Sequence, residues 1–236
     1  MNKILFFGAS GKLGSVWVKN LNKNKKKFNV FANEYKTKLP HYTFVKNINL
    51  KINDLKKIEN FCKLNSINII INCIAKTNVE NCEKYPKEAN KLNFLIAKNL
   101  CKISKNLNIC YVHISTDMLF DGKSKSKYIE KSITRPLNIY SKTKLKAENF
   151  VKKYKKSLII RTNFFGKSLL NNITFSDKIL KNRKKKIYLW EDIFFNPVHL
   201  KNLISIINQL IIEKVYGIYN ISSNQCVSKY SLGQMI

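Results

Sequence analysis

The stretch KILFFGASGKLGSVWVKNL, residues 3–21, decides the fold. Four apolar residues, Ile4 to Phe7, run without polar alternation into Gly8, and glycine returns at Gly11 and Gly14. A helical pattern then follows through Val18 and Leu21. An uninterrupted apolar strand suits a sheet covered on both faces. The glycines permit a tight turn and close backbone approach, and the start of the helix offers N–H groups to a pyrophosphate. A glycine turn that binds nothing is the plainer alternative. The strand before it and the helix after it favour a dinucleotide loop made by Gly8, Ser10, Gly11, Lys12, Leu13 and Gly14.

Further short apolar runs lie at residues 30–32, 69–71, 110–114, 158–160, 187–189 and 218–221, and all read as strands. Residues 54–64, 88–107, 142–154 and 198–212 carry helical periodicity. Repeated strand-then-helix order predicts the α/β class, a Rossmann-type doubly wound parallel sheet with right-handed crossovers. The polar stretch 122–135 is the longest loop, a length that in compact domains often marks function. Residues 228–236 read as the start of a helix with no stop signal, so the domain is expected to continue past Ile236.

Composition narrows the classes. Of 236 residues, 44% are hydrophobic and 25% charged, which excludes a disordered chain, a collagen and a miniprotein. Lys and Arg total 44 against 14 acidic residues, a formal charge of +30 that first suggests nucleic acid or an anionic membrane. The lysines are dispersed, however, in short runs such as Lys25-Lys26-Lys27, Lys152-Lys153, Lys155-Lys156 and Lys184-Lys185-Lys186. There is no basic tail, arginine stripe or regular aromatic interleaving, and Lys is abundant together with Asn and Ile, as A+T-rich codons produce. The charge is read as composition first, an anionic small substrate second and nucleic acid last. The run 181–186 is read as a solvated turn.

Six cysteines form no C-x-x-C pair, and His41, His113 and His199 are scattered, so no metal site is expected. No secretory signal precedes the first strand, and no apolar stretch nears the roughly 20 residues that span a bilayer. A reduced, cytoplasmic protein without a membrane span is expected.

Tyr140-Ser141-Lys142-Thr143-Lys144 sets a phenol and an ammonium four residues apart, on one face of a helix. A lysine beside a tyrosine favours the phenolate, which lets the proton move near neutral pH. By itself this spacing is an accident in a lysine-rich chain. Two further blocks close predicted strands: Ser115-Thr116-Asp117 after residues 110–114, and Asn72-Cys73-Ile74-Ala75 after residues 69–71. Open α/β sheets bind ligands at that carboxyl edge. Asn33 and Glu34 end the second strand; Glu34 suits a ribose 2′-hydroxyl and hence NADH, whereas Lys36 and Lys38 suit the 2′-phosphate of NADPH. Asn33, Glu34, Asn49, Leu50, Cys73, Ile74 and Ala75 complete the expected cofactor set with Tyr140 and Lys144. Cys73 and Cys110 read as small buried hydrophobes, His113 as a satisfied core histidine, and Trp17, Phe165, Phe194 and Phe195 as core. Phe164 is evenly split between core and ligand platform.

Taken in order, these blocks resemble the dTDP-4-dehydrorhamnose reductase family of the extended short-chain dehydrogenase/reductase superfamily, over essentially the whole chain. Gly8 to Gly14 resembles its cofactor loop, and Ile70 to Ala75 with Thr77, Val79 and Glu83 its following strand-and-turn block. Ser115 to Gly122, then Tyr128, Glu130, Pro136 to Tyr140 and Lys144, resemble its catalytic blocks, and Arg161-Thr162 and Gly217 to Asn220 later ones. Ser141 stands where glycine is usual, Met118 replaces an aromatic, Lys76 replaces Tyr or His, and Phe164 replaces a tryptophan.

The resemblance implies a Rossmann domain over residues 1–163 and a smaller C-terminal substrate lobe over 164–236, partly interleaved with it. Thr116, Tyr140 and Lys144 would be catalytic. Tyr140 would protonate a sugar C4 oxygen, Thr116 would hydrogen-bond that oxygen, and Lys144 would hold the nicotinamide ribose and depress the tyrosine. Thr116, Asp117 and Phe164 would contact the sugar, and Asn93 matches a helix asparagine near the active site. NADPH or NADH would be the cofactor, a nucleotide-sugar the substrate and a homodimer the candidate assembly, with no nucleic acid. The activity implied is reduction of dTDP-4-dehydrorhamnose to dTDP-rhamnose for surface polysaccharide. A sugar-nucleotide epimerase or dehydratase, and a non-catalytic regulatory subunit, are the alternatives.

Overall fold

Alternate residues of a strand face opposite sides, so a strand such as Ile4 to Phe7 can be apolar throughout only if both sides are covered. The computed structural model, which describes residues 1–124, 126–170, 175–182 and 186–236, covers both. Ile4 and Phe6 pack beneath helices α1 (Lys12–Lys23) and α8 (Leu200–Ile212), among Trp17, Val18, Leu21, Leu203 and Ile207. Leu5 and Phe7 face the other way, toward Ile58 of α2 (Leu55–Leu64), Leu100 of α5 (Ile96–Asn106) and Val151 of α6 (Ile139–Val151).

The sheet has seven strands: β1 (Asn2–Phe7), β2 (Phe28–Asn33), β3 (Val45–Ile48), β4 (Ile69–Asn72), β5 (Cys110–Ile114), β6 (Ser157–Thr162) and β10 (Gly217–Ile221). Their order is β10-β6-β5-β4-β1-β2-β3 and every pair is parallel. The chain builds from β1 to β3, then crosses back to lay β4 on the other side of β1, in register Phe6↔Ala32 and Phe6↔Ile71. This is a doubly wound Rossmann sheet. Its direction of winding reverses between β1 and β4, and a crevice opens there at the carboxyl ends.

Between β4 and β5 a short helix, α3 (Val79–Lys84), comes first, and the expected helix over 88–107 follows as one continuous stretch: α4 (Pro86–Asn90), a π-helical turn over Lys91–Leu95, and α5. α6 begins at Ile139, before the expected residue 142, because Asn138 caps it. Asn138 Oδ1 accepts from Ser141 N at 2.8 Å, and Asn138 N donates back to Ser141 Oγ. This reciprocal box gives Ser141 a reason to stand after the tyrosine.

Two strand expectations need correcting. Residues 187–189 form no strand: Ile187 and Tyr188 are 38% and 79% exposed, and the sheet edge beside β6 is taken by β10. β3 escapes detection because, as an edge strand, it buries only Val45 fully. Short strands complete the chain: β7 (Phe164–Phe165) pairs with β9 (Val198–His199), and β8 (Phe194–Phe195) with β11 (Val227–Ser228), which leads into α9 (Lys229–Met235). α7 (Phe175–Asn182) lies between β7 and β8. Beyond residue 163, α8 and β10 return to the large sheet and its core. Arg183, Lys184 and Lys185 of the basic run lie outside the described residues. No helix among the described residues is long and apolar enough to cross a membrane.

Candidate active site

The three loop glycines do different work. Gly8 has φ +77°, and a Cβ there would sit 2.7 Å from the Cys73 carbonyl carbon and 2.8 Å from Ile74 N. A Cβ on Gly14 would sit 2.1 Å from Gly8 O. Both glycines are therefore demanded by the fold, which presses the loop onto itself and onto the end of β4. At Gly11 a Cβ would meet only Gly8 O, at 3.1 Å, so among the described residues this position opens outward. Gly11 is also the N-cap of α1 and makes no side-chain cap bond to it. A backbone cradle at a helix N-terminus, with no acidic residue in the first turn, fits a pyrophosphate. Ser10 and Lys12 belong to the same loop, with Lys12 exposed and Leu13 buried beneath it.

At the end of β2, Asn33 uses both polar atoms on one residue. Its Oδ1 accepts from Leu50 N at 2.7 Å and its Nδ2 donates to Leu50 O at 3.2 Å. The expected cofactor residues Asn33 and Leu50 thus form one unit, with Asn49 exposed beside it. Glu34 is buried, its Oε1 accepting from Leu39 N at 2.8 Å and its Oε2 paired with Lys38 at 3.1 Å.

Thr116 and Asp117 leave the end of β5 and enter a 3₁₀ turn capped by Thr116 Oγ1, which accepts from Met118 N. Tyr140 and Lys144 come to the same place on α6, buried to 8% and 2% exposure. Burial pushes the Tyr140 phenol up to about 12, a hydrogen bond with Thr116 pulls it back, and the Asp117 charge pushes it further up. Lys144 is not among the groups that shift the phenol here. The ammonium donates instead to Ile114 O and faces His113 Nε2 at 3.5 Å. Burial lowers Lys144 to about 8, against the opposing pull of Cys73 and Glu148. Burial raises the Asp117 carboxyl, opposed by hydrogen bonds from Asn163 and Thr116. Asn163 Nδ2 lies 3.2 Å from Asp117 Oδ2 and orients it.

Asn93 sits in the π-helical turn, a feature frequent at functional sites. Its Oδ1 accepts from Lys76 N at 2.7 Å, and its Nδ2 donates to Lys76 O and to Thr143 Oγ1 at 3.0 Å. It ties the turn after β4 to the helix face between Tyr140 and Lys144. Phe164 packs half-buried against the central core, and Ile74 N is fixed by Asn72 Oδ1 at 3.0 Å. Cys73 and Ala75 are half-buried on either side.

His113 is a core residue, 1% exposed, but it is not satisfied. Its Nδ1 has no hydrogen-bond partner among the described residues, and burial holds the imidazole well below its ordinary range. Other residues quoted for their sequence blocks turn out to be pins. Glu83 Oε1 accepts from Ile139 N at the start of α6, and Glu130 Oε1 accepts from Asn220 N at 2.8 Å. Asn163 and Glu148 escaped sequence reasoning. The spacing of Glu148 from Lys144, one further turn along the helix, was the available signal.

Comparison with known proteins agrees with this geometry. The RmlD substrate binding domain family matches residues 1–236. The dTDP-4-dehydrorhamnose reductase of Aggregatibacter actinomycetemcomitans is 29% identical over 98% of this chain and 76% of that protein. Methionine adenosyltransferase 2 subunit beta of Xenopus tropicalis is 26% identical over 98% of this chain and 70% of that protein. The crystal structure of dTDP-4-dehydrorhamnose reductase from Bacillus anthracis in complex with NADP has a TM-score of 0.82 at 26% identity, covering 100% of this chain and 80% of that one. With a whole-length family match added to a Rossmann sheet whose motif blocks meet at one crevice, the chain belongs to the RmlD substrate binding domain family.

Proposed function

We propose that this protein is an NAD(P)H-dependent reductase of the C4 keto group of a nucleotide-activated deoxysugar, with dTDP-4-dehydrorhamnose as the substrate and dTDP-rhamnose as the product. The observation that carries this reading is the buried Tyr140 phenol, under the influence of the Thr116 hydroxyl and kept protonated, at the carboxyl edge beside the glycine loop. A carbonyl that gains a hydride needs a proton on its oxygen, and a phenol raised to about 12 still holds one at neutral pH. Thr116 Oγ1 stands beside that phenol to hydrogen-bond the same oxygen as it gains charge. Lys144 adds a positive charge behind the pair, and Asp117, aimed by Asn163, faces the sugar. The glycine loop, the Asn33–Leu50 unit and Cys73 to Ala75 would hold the dinucleotide, which when bound supplies the reducing equivalent. Residues 164–236 supply the substrate lobe, and Phe164 lies at its base.

A second reading has its own support in the 26% identity to a methionine adenosyltransferase subunit, a protein named as a subunit. Retention of Thr116, Tyr140 and Lys144 together favours the reductase. The purified chain alone, given dTDP-, GDP- and UDP-4-keto sugars, is expected to consume NAD(P)H with the dTDP sugar. Net turnover separates it from an epimerase. No consumption with any member of the panel would sink the reductase reading in favour of the subunit.

A further inference from the structure

Alternation along β5 sends Tyr111 and His113 to the face covered by α5 and α6, and Val112 and Ile114 to the other. His113 therefore meets Lys144, and its Nε2 lies 3.5 Å from the ammonium, at the limit of hydrogen-bond reach. The same ammonium donates to the carbonyl of the next residue, Ile114. The imidazole is itself held in place. It stacks on Tyr111 with ring centroids 6.1 Å apart and planes 19° apart, and the Tyr111 hydroxyl accepts from Asn72 Nδ2 at 3.0 Å. Asn72 is the register partner of His113 on β4, and its Oδ1 fixes Ile74 N beside the glycine loop.

An ammonium has donors only, so a nitrogen that bonds to it must offer a lone pair. That puts the imidazole proton on Nδ1, which has no partner among the described residues. A buried N–H left unpaired costs free energy, and an apolar ring in this place would not incur it. What the histidine supplies in exchange is a neutral acceptor for Lys144. Glu148, one turn along α6, is committed to Arg161 and Ser115. The titratable groups around the ammonium are Cys73 after β4, Glu148 and Tyr140 on α6, and His113 on β5. Of these, His113 alone is a hydrogen-bond partner of Lys144 among the described residues. With Ile114 O it occupies two of the three donors and leaves the third for a ligand.

We propose that His113 is a positioning residue: as a neutral imidazole protonated at Nδ1, it accepts from Lys144 through Nε2 and, with Ile114 O, orients the ammonium and holds it charged. This rests on the placing of Lys144 in the site above. NMR of the full chain tests it without turnover. With ¹⁵N in the imidazole rings, the His113 signals, identified by their loss in His113→Gln, should show at neutral pH an uncharged ring with its proton on Nδ1. With ¹³C at the lysine ε-carbons, the Lys144 signal, identified by its loss in Lys144→Met, should titrate at about 8. His113→Phe keeps a ring and removes the acceptor, so it should lower that midpoint by about one unit, a tenfold loss of proton affinity. His113→Gln carries an amide oxygen toward the place of Nε2 and should restore the midpoint to within about 0.3 of the parent. The alkaline fall in turnover should move down and back with it.

A ring protonated at Nε2, or an imidazolium, would overturn the inference, since neither accepts from Lys144. A midpoint in His113→Phe that rises, or stays within about 0.3 of the parent, would also overturn it, because a ring that merely fills the core would behave so. If His113→Phe does not fold, the position of the ring proton in the parent decides alone. Failure of the reductase reading shows separately, as absent NAD(P)H consumption with the two NMR results intact.

Discussion

Glu148 and Arg161 form an ion pair sealed inside the protein, their side chains 2% and 5% exposed. Glu148 lies one helical turn beyond Lys144 on α6, and Arg161 lies on β6. Arg161 Nε reaches both carboxylate oxygens at 3.1 Å, and Ser115 Oγ donates to the carboxylate at 3.0 Å. The other end of the guanidinium donates to Glu130 O at 3.0 Å and stacks over Phe120. One pair therefore joins α6, two strand ends and the long loop, directly behind the candidate site.

Removing one member should cost more than removing both. Arg161→Met leaves a buried carboxylate without its counter-charge and is expected to lose about 3–5 kcal/mol. The double variant Arg161→Met with Glu148→Leu should lose clearly less. Urea unfolding of the two variants checks this. A single-variant loss below about 1 kcal/mol would mean that the pair does not hold the helix.

Lys144 is destabilised by its burial. Its native value of about 8 lies below the roughly 10.4 of an unfolded lysine. Between those values the unfolded chain binds the extra proton, so this group makes stability rise as pH rises from about 8 to about 10.4. Below pH 8 the full burial cost is present, about 3 kcal/mol, less about 1 kcal/mol for the hydrogen bond to Ile114 O. Lys144→Met should therefore be inactive yet more stable than the parent by about 2 kcal/mol at pH 7. Its advantage should shrink by about 1.4 kcal/mol per pH unit above pH 8 and vanish near about pH 9.5. A stability gap that does not narrow with pH would refute the assignment.

Tyr140→Phe should lower turnover by about 10²–10⁴ with nucleotide affinity nearly unchanged. In the parent, reduction should decline as pH rises through about 8, where Lys144 loses its charge. The phenol, at about 12, remains protonated across that window. A decline that begins only above pH 10 would point to the tyrosine instead.

The loop glycines should separate by assay. Gly14→Ala places a methyl 2.1 Å from Gly8 O, and is expected to cost at least about 1–3 kcal/mol in thermal unfolding. Gly11→Val meets one atom at 3.1 Å, so it should fold and yet lose dinucleotide binding. Normal nucleotide affinity in a folded Gly11→Val protein would remove the loop from the site.

The alternation of strand and helix, the glycine loop and the Tyr140–Lys144 spacing were legible because neighbouring residues carry them. Burial on both faces writes itself as an apolar run, a tight turn as glycine, and a shared helix face as a four-residue interval. Features of weaker local pattern were misread. β3 buries one face of a half-polar edge, and Ile187 and Tyr188 are apolar in type yet exposed.

The amino-acid sequence by itself determined the parallel strand-and-helix alternation, six of the seven sheet strands and the motif blocks that close them, since periodicity and turn chemistry act over a few consecutive positions. Only the tertiary structure decided what those groups bond to. Lys144 turns to Ile114 and His113, Asn163 finds Asp117, Arg161 finds Glu148, and Glu34 withdraws to Leu39 and Lys38. Each of these is a choice among competing donors and acceptors at close range in a buried setting. Burial raises the cost of leaving any of them unmet, and which partner lies within reach follows from packing distant segments together.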